Sequence, residues 1–310
     1  MLIALLIIAR AAHFGASMLI AGILTFELVT LGLASLSTSD DLHQVDRRLF
    51  HLALWSLIAA FVSGLLWLWL EVANMNGLRL TDAFSRPAWQ VVLFETEFGR
   101  VWQLRAGLIA AAFALIASGL AREEVRRPLI PILWLLSVTF LVSLAWISHA
   151  AAASVQPLGL FGDALHLCAA GGWIGGLTPL AIFLTRLRTS FSLGEAAAVV
   201  LRRFSTLSLC CVSVLIASGI SNSCLLVGSI HALSMTPYGR LLLVKLTIFG
   251  ILIGFGVRNR LMVKTKLRSV PALSDLLPQL RRNVICEVCL GAVVVVVVAC
   301  LGVTPIPRHP

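Results

Sequence analysis

Three histidines inside or at the end of apolar stretches are the residues of this chain whose type best suits chemistry. His13 lies in the first apolar run, His149 closes another run, and His166 lies early in the run that follows. Imidazole nitrogen binds copper, zinc, iron and nickel, so several imidazoles converging from separate helices could hold Cu(I) or Cu(II), or could ligate haem iron axially. Each histidine could instead hydrogen-bond a backbone carbonyl or a hydroxyl on a neighbouring helix. The residues alone leave both interpretations open.

A helix that carries Asp163 and His166 would position part of this chemistry. At about 100° per residue, these two side chains share one face, and the glycines of the following G-G-W-I-G-G stretch fall roughly opposite. Glycines four residues apart let a neighbouring helix backbone approach closely in lipid. The pattern predicts a central helix that turns Asp163 and His166 into the protein, because an ionisable side chain facing lipid would cost several kcal/mol.

The composition is that of a membrane protein. Over 310 residues the mean hydropathy is +0.98, with 59% hydrophobic and 12% charged residues, whereas about a quarter of the residues of a soluble domain are charged. We predict an all-α polytopic integral membrane protein, in which residues 1–310 form one transmembrane domain, a bundle of eight helices. The two halves are not similar enough in sequence to indicate a repeat. Runs long enough to span a bilayer lie near residues 2–35, 51–72, 102–121, 129–150, 160–184, 204–227, 239–257 and 284–303.

The basic residues predict the orientation of the chain rather than binding to nucleic acid. The formal net charge is +10, and 16 Lys and Arg lie in the odd-numbered connections against 4 in the even-numbered ones. By the positive-inside rule both termini face outward, which in a bacterium is the periplasm. The outer connection 73–101 is predicted to form an interfacial cap, with Trp89 and Trp102 at the headgroup level. No basic residue precedes the first apolar run, so we expect that run to be retained as a span.

Sulfur ligands and a loop pair are further candidates for metal binding. Cys286 and Cys289 form C-E-V-C at the predicted cytoplasmic start of the last helix, where thiolates could provide a soft-metal exit site. Free cysteine also packs as a small hydrophobic residue. His231 and Met235, in the outer connection before the seventh helix, could receive copper or could simply be solvated. The seven cysteines are odd in number and most lie in apolar runs, which argues against a disulfide framework.

Three cations in the outer parts of helices need partners, since a cation cannot ligate a metal ion. These cations are Arg10, Arg105 and Lys245. We expect each to pair with an outer carboxylate, and unpaired cations would suit an anionic group such as the haem propionates. The available outer carboxylates are Glu71, Glu97 and Asp163.

Catalytic signatures are absent from the sequence. It contains no G-x-x-x-x-G-K-[ST] phosphate loop, no G-x-S-x-G nucleophile elbow and no H-E-x-x-H zinc motif. We therefore do not expect an enzyme or a transporter driven directly by ATP.

Several segments taken together resemble the copper resistance protein D family of bacterial inner-membrane proteins, which is associated with the periplasmic copper-binding protein C. The segments are F-G-R-V-W-Q-L-R (98–105), H-A-A-A (149–152), D-A-L-H-L-C-A-A-G-G-W-I-G-G-L-T-P-L (163–180), R-R-F-S (202–205), T-P-Y-G-R-L-L-L-V-K-L (236–246) and L-R-R-N-V-I-C-E-V-C-L-G (280–291).

The resemblance implies a function in copper handling. It implies transport of a copper ion from the periplasm to the cytoplasm, with His13, His149 and His166 as ligands and Asp163 behind His166 as an orienting or charge-balancing partner. It also implies a periplasmic chaperone partner similar to copper-binding protein C. The chain has five methionines in all and no Met-x-Met run, which argues against a thioether-lined conduit.

Two other functions fit the residues. One is a cytochrome b-like electron carrier with histidines as axial haem ligands. The other is a non-transporting membrane protein that docks a periplasmic copper chaperone through its second connection. A Soret band would indicate haem.

Overall fold

The computed structural model describes residues 1–32, 40–147, 156–188, 194–227, 229–266 and 270–307. All regular structure in these ranges is helical. The α-helices are α1 (Leu2–Thr25), α2 (Asp40–Met75), α3 (Arg86–Gln90), α4 (Glu97–Ala121), α5 (Glu123–Val142), α6 (Gln156–Ala170), α7 (Gly176–Leu187), α8 (Gly194–Leu226), α9 (Ile230–Met235), α10 (Pro237–Lys266) and α11 (Val270–Leu301). Wider π-helical turns extend α1 through Phe26–Leu31, precede α4 at Val91–Glu95 and join α6 to α7 at Gly171–Gly175.

The described residues contain eight helical stretches long and apolar enough to cross a membrane, which confirms the predicted all-α class and the number of runs. Spans one to four are formed by α1, α2, α4 and α5. Short helical turns extend the first span to Leu31 and the fourth to Ile147. The fifth span joins α6 and α7, and spans six to eight are α8, α10 and α11. The outward orientation of the termini stays a prediction, as does the division of the chain into domains.

The fifth span is the most enclosed of the eight, as its glycines predict. The structure buries 67% of its most apolar segment, against 17% for the sixth span and 11% for the seventh. Gly175 lies against the backbone of α1, where an added Cβ would fall 2.2 Å from the carbonyl oxygen of Met18 and 3.2 Å from the Cα of Gly22. Only glycine permits this approach of two helix backbones, so α1 and the fifth span form the centre of the bundle.

The second connection folds back over the C-terminal end of α2 and the N-terminal end of α4. It contains a short 3-10 turn at Asp82–Phe84, followed by α3 and the π-helical turn before α4. The indole nitrogen of Trp89 donates to the carbonyl of Ala83 at 2.8 Å, which closes the segment on itself. Trp102 does not lie at the surface as expected, because it is 6% exposed and its ring packs inside the bundle. The interfacial location of this cap stays a prediction.

Candidate functional site: two imidazoles, each held by a cation

His13 is fully buried midway along α1, and both of its ring nitrogens have partners. Nδ1 lies 2.9 Å from the carbonyl oxygen of Ala60 on α2. Because a carbonyl oxygen can only accept, Nδ1 carries the proton and donates. Nε2 therefore holds a lone pair, which accepts a hydrogen bond from the guanidinium of Arg105. The imidazole is neutral, with its metal-ligating lone pair directed at a cation.

Arg105 is fixed from several sides. It is fully buried on α4, and its Nη1 donates to the carbonyl of Phe140 at 2.7 Å and to the hydroxyl of Ser143. The guanidinium carbon also lies 3.9 Å from the centre of the Phe140 ring, within range for a cation–π contact. No salt bridge to Arg105 exists among the described residues, so the expectation that a carboxylate pairs with it is wrong. Carbonyl, hydroxyl and imidazole acceptors take that place.

Aromatic rings enclose the first imidazole. The ring of His13 lies 5.5 Å from that of Trp67, 5.4 Å from that of Trp102 and 5.8 Å from that of Phe140, measured between centroids. Such rings exclude water and hold the imidazole in one orientation. One face of the first span, which is α1 with the turn that continues it, carries a polar stripe of Arg10, His13, Ser17 and Glu27, and all four are buried.

His166, on α6, has the same hydrogen-bonding arrangement with different partners. Its Nδ1 lies 3.0 Å from the hydroxyl of Ser218 on α8. That hydroxyl donates to the carbonyl of Val214 at 2.6 Å, so it accepts from Nδ1. The ammonium of Lys245 on α10 lies 3.4 Å from Nε2 and can only donate. This imidazole is therefore also neutral, and its Nε2 lone pair also faces a cation.

Asp163 lies one helical turn before His166 and supplies negative charge to this second site. Its Oδ1 accepts from the side chain of Asn222 at 3.4 Å, and the carboxylate acts electrostatically on Lys245 and Tyr238. The predicted association of Lys245 with an outer carboxylate is thus electrostatic. The predicted pairing of Arg10 with an outer carboxylate is confirmed, since Arg10 forms an ion pair with Glu71 at 3.8 Å. Glu97, the third outer carboxylate, pairs with Arg100 instead of a buried cation.

His13 and His166 have separate surroundings. The partners of His13 lie on α2, α4 and α5, whereas those of His166 lie on α8 and α10. Within the described ranges, no group of three His, Cys, Asp or Glu side chains is placed to hold a metal ion. His149 lies outside the described residues. The convergence of three imidazoles on one ion accordingly stays a prediction.

The other candidate ligands lie at the periphery of the bundle. Cys286 and Cys289 are free thiols on the exposed side of α11, while Glu287 between them is buried. The carboxylate of Glu287 accepts from the side chain of Asn259. His231 and Met235 are exposed on α9, four residues apart and therefore on one face of that short helix.

A cavity of about 280 Å³ at the C-terminal end of the first span is a feature that the sequence did not predict. Glu27, His43, Asp46 and Arg127 contribute its polar lining. Glu27 is 3% exposed, and its Oε1 has no hydrogen-bond partner in the described part of the chain. The only sequence signal was the presence of Glu27 on the polar stripe of α1, because the helices that close the cavity are remote in sequence.

Comparison with known proteins shows two family matches that together cover most of the chain. Residues 1–160 match the copper resistance protein D-like N-terminal domain, and residues 198–301 match copper resistance protein D. No solved structure matches the chain significantly.

Three curated proteins are similar over long alignments. The chain is 29% identical over 263 residues to the inner membrane protein YebZ of Escherichia coli K12, covering 84% of each chain. It is 26% identical over 273 residues to the copper transport protein CutJ of Bacillus subtilis 168, and 30% identical over 181 residues to copper resistance protein D of Pseudomonas syringae pv. tomato. These two alignments cover 86% and 56% of this chain, but 48% and 56% of the relatives. The chain thus spans about half the length of each of them.

Proposed function

Because the chain belongs to the copper resistance protein D family, we propose that it carries copper across the inner membrane, from the periplasm to the cytoplasm. Its eight spans and its similarity to an inner membrane protein make it a multi-pass protein of that membrane. The names of two relatives, a copper transport protein and a copper resistance protein, support copper as the substrate.

The observation that carries this proposal is the state of the two buried imidazoles. In each, a hydrogen bond at Nδ1 fixes the tautomer and turns the Nε2 lone pair toward a positive charge. Metal-bound histidines are oriented in the same manner, by a second ring nitrogen that donates to a carbonyl or another oxygen. The cationic head of Arg105 or Lys245 thus occupies the position in which a copper ion would bind His13 or His166.

The candidate ligands are His13, His149 and His166, with Asp163 behind His166, and the proposed function requires that at least one of these imidazoles binds the ion. Copper moves inward by ligand exchange, and the membrane potential favours this direction by about 2.3 kcal/mol per charge per 100 mV. The exposed pair His231 and Met235 would receive the ion on the outer side, and the thiols Cys286 and Cys289 would release it on the inner side. A periplasmic copper chaperone would deliver it at the outer connection 73–101.

Copper uptake into proteoliposomes tests this proposal. Vesicles containing the purified chain are given Cu(I) held by a weak chelator, and internal copper is measured by elemental analysis with and without an inside-negative potential. We expect uptake that the potential accelerates and that His166→Ala abolishes, while His51→Ala, at an exposed histidine on α2, leaves it unchanged. Uptake no faster than in empty vesicles, or a Soret band in the purified protein, would contradict the proposal.

A further inference from the structure

The third and seventh spans begin with the same structural motif. The sequences T-E-F-G-R-V-W-Q-L-R (96–105) and T-P-Y-G-R-L-L-L-V-K (236–245) agree at the threonine, the glycine and the arginine, and both end on the cation that contacts an imidazole. In each, the threonine hydroxyl accepts from the glycine N–H at 3.0 Å and donates at 2.6 Å to a carbonyl four residues earlier. An added Cβ at Gly99 or Gly239 would lie 2.2 or 2.3 Å from a carbonyl oxygen of the preceding turn. The two helix starts are therefore built alike.

The second and sixth spans repeat the contact with the imidazole. Ser63 and Gly64 on α2 correspond to Ser218 and Gly219 on α8. The serine hydroxyls lie 3.4 and 3.0 Å from Nδ1 of their histidines. The glycines leave room for the rings, because added Cβ atoms would lie 3.1 and 3.7 Å from the respective Cε1 atoms.

The central glycines relate the two halves to one another. Gly22 follows His13 by nine residues, and Gly175 follows His166 by nine. These two glycines pack against each other, with an added Cβ on Gly22 only 2.1 Å from the carbonyl carbon of Gly175. Contact between equivalent residues is what a two-fold axis produces. Since each half has four spans, both halves have the same orientation, and the axis runs along the membrane normal.

We infer that the chain is a tandem pair of four-span units related by this axis, and that the copper site is the His166 copy, whereas the His13 copy is a structural counterpart. The assignment of copper rests on the proposed function. Sequence similarity alone does not reveal the repeat, because the equivalent residues are few and widely separated.

A charge difference at equivalent positions supports this division of roles. Three residues before its histidine, the first unit has Arg10 and the second has Asp163. Arg10 adds positive charge beside His13, although Glu71 pairs with it at 3.8 Å and its guanidinium lies 4.8 Å from the centre of the Trp67 ring. Asp163 adds negative charge beside His166. A metal cation is thus repelled near the first imidazole and attracted near the second.

The two cations beside the imidazoles also differ in the number of contacts that hold them. Arg105 is bound by a carbonyl, a hydroxyl and an aromatic ring in addition to His13. Lys245 meets His166 at 3.4 Å, near the limit of a hydrogen bond. When a copper ion takes Nε2 of His166, the ammonium can move toward Asp163, whose carboxylate offsets one of the two positive charges. The described partners of Arg105 include no carboxylate toward which its guanidinium could move.

Copper titration of a matched pair of serine variants tests the inference. Ser218→Ala removes the acceptor that orients His166, and Ser63→Ala removes its counterpart beside His13. Within their own helices the two substitutions are alike, because each hydroxyl also donates to a carbonyl four residues earlier, at 2.6 and 2.5 Å. His13 keeps the Ala60 carbonyl as an acceptor for Nδ1 in Ser63→Ala, so His166→Ala and His13→Ala, which remove the two Nε2 lone pairs themselves, are titrated beside the serine variants. Purified full chain in detergent is titrated with Cu(I) in competition with a chromogenic chelator, and the unfolding temperature of each variant is measured in parallel.

We expect one tight Cu(I) ion per chain and a loss of about 10–100-fold in affinity in Ser218→Ala. The tight ion should be lost in His166→Ala, whereas affinity should change by less than about twofold in His13→Ala. Two ions of equal affinity, or a loss in His13→Ala rather than in His166→Ala, would overturn the assignment and leave the proposed function standing. A chain that binds no Cu(I) in any form would overturn both.

Discussion

The contact between α1 and the fifth span makes a sharp prediction about Gly22. In Gly22→Ala, the new methyl group would lie 2.1 Å from the carbonyl carbon of Gly175 and 2.5 Å from the nitrogen of Gly176, where ordinary contacts are 3.4–4 Å. The colliding atoms belong to backbone, so no side chain can rotate away. The two central helices must separate by about 1 Å or more, and overpacking of this kind typically costs about 1–3 kcal/mol. We place this case at about 3 kcal/mol.

Gly107→Ala provides the control. Gly107 lies on the exposed face of α4 with no heavy atom within 4 Å of an added Cβ. Both substitutions gain about 0.5–1 kcal/mol from helix propensity, so this gain cancels when the two variants are compared. We expect Gly107→Ala to be slightly more stable than the parent chain and Gly22→Ala to be less stable than Gly107→Ala by about 3 kcal/mol.

Reversible unfolding in mixed micelles, followed by circular dichroism as sodium dodecyl sulfate is added, measures this difference. A complementary readout is the fraction of monodisperse protein after heating. If the two alanine variants unfold at the same detergent fraction, the helices do not cross at Gly22, and the central contact with its two-fold axis must be abandoned.

Three further predictions concern the charges of the molecule. Arg126→Ala should lower the free energy of unfolding by about 3 kcal/mol, because it leaves the partly buried carboxylate of Asp46 without the guanidinium 2.7 Å away. Arg79→Ala, at an exposed ion pair, should change the free energy of unfolding by less than about 1 kcal/mol. Equal effects of the two substitutions would contradict the reasoning. Lys245→Leu should tighten Cu(I) binding by about tenfold, or about 1.4 kcal/mol, since it removes a positive charge that repels the ion beside Nε2 of His166. Arg240→Leu, at an exposed position, should leave the affinity for Cu(I) unchanged. Weaker binding in Lys245→Leu would count against displacement of the ammonium. Alkaline phosphatase joined after Val303 should be active in cells, as expected for a periplasmic C-terminal end, whereas a cytoplasmic end would give inactive enzyme.

Hydropathy predicts the spans of this protein because lipid imposes a simple rule. A segment that crosses the bilayer must satisfy its backbone hydrogen bonds within a helix and present apolar side chains for about 20 residues. The run near residues 102–121 corresponds to a span at Glu97–Ala121, and the run near 204–227 to one at Ala196–Leu226. A span can begin several residues before its apolar run, because polar and charged residues also form helix. Span three, for example, begins at Glu97, directly after the N-cap residue Thr96.

The neighbours of each helix are much harder to predict from sequence. Tryptophan is typical of the headgroup level, yet Trp102 packs on His13 because the rotation of α4 about its axis is set by contacts with α1 and α2. The two terminal nitrogens of Arg105 donate to a carbonyl, a hydroxyl and an imidazole, whereas the sequence pointed only to carboxylates as partners. Such acceptors carry no signature in the sequence, since every residue has a carbonyl and hydroxyls are common on helices.

The carboxylate beside His166 explains how a metal cation can enter this bundle at modest electrostatic cost. An empty apolar site would gain a full positive charge on binding copper, which is expensive in a medium of low dielectric constant. At His166 the charge of Asp163 acts on Lys245 and would act on a copper ion at Nε2 as well. Cu(I) adds one positive charge to this region even when it displaces the ammonium from Nε2, and the carboxylate offsets that added charge. The same exchange at His13 would have to break the three contacts that hold Arg105 and would leave its guanidinium buried without an acceptor, so copper should follow the second unit.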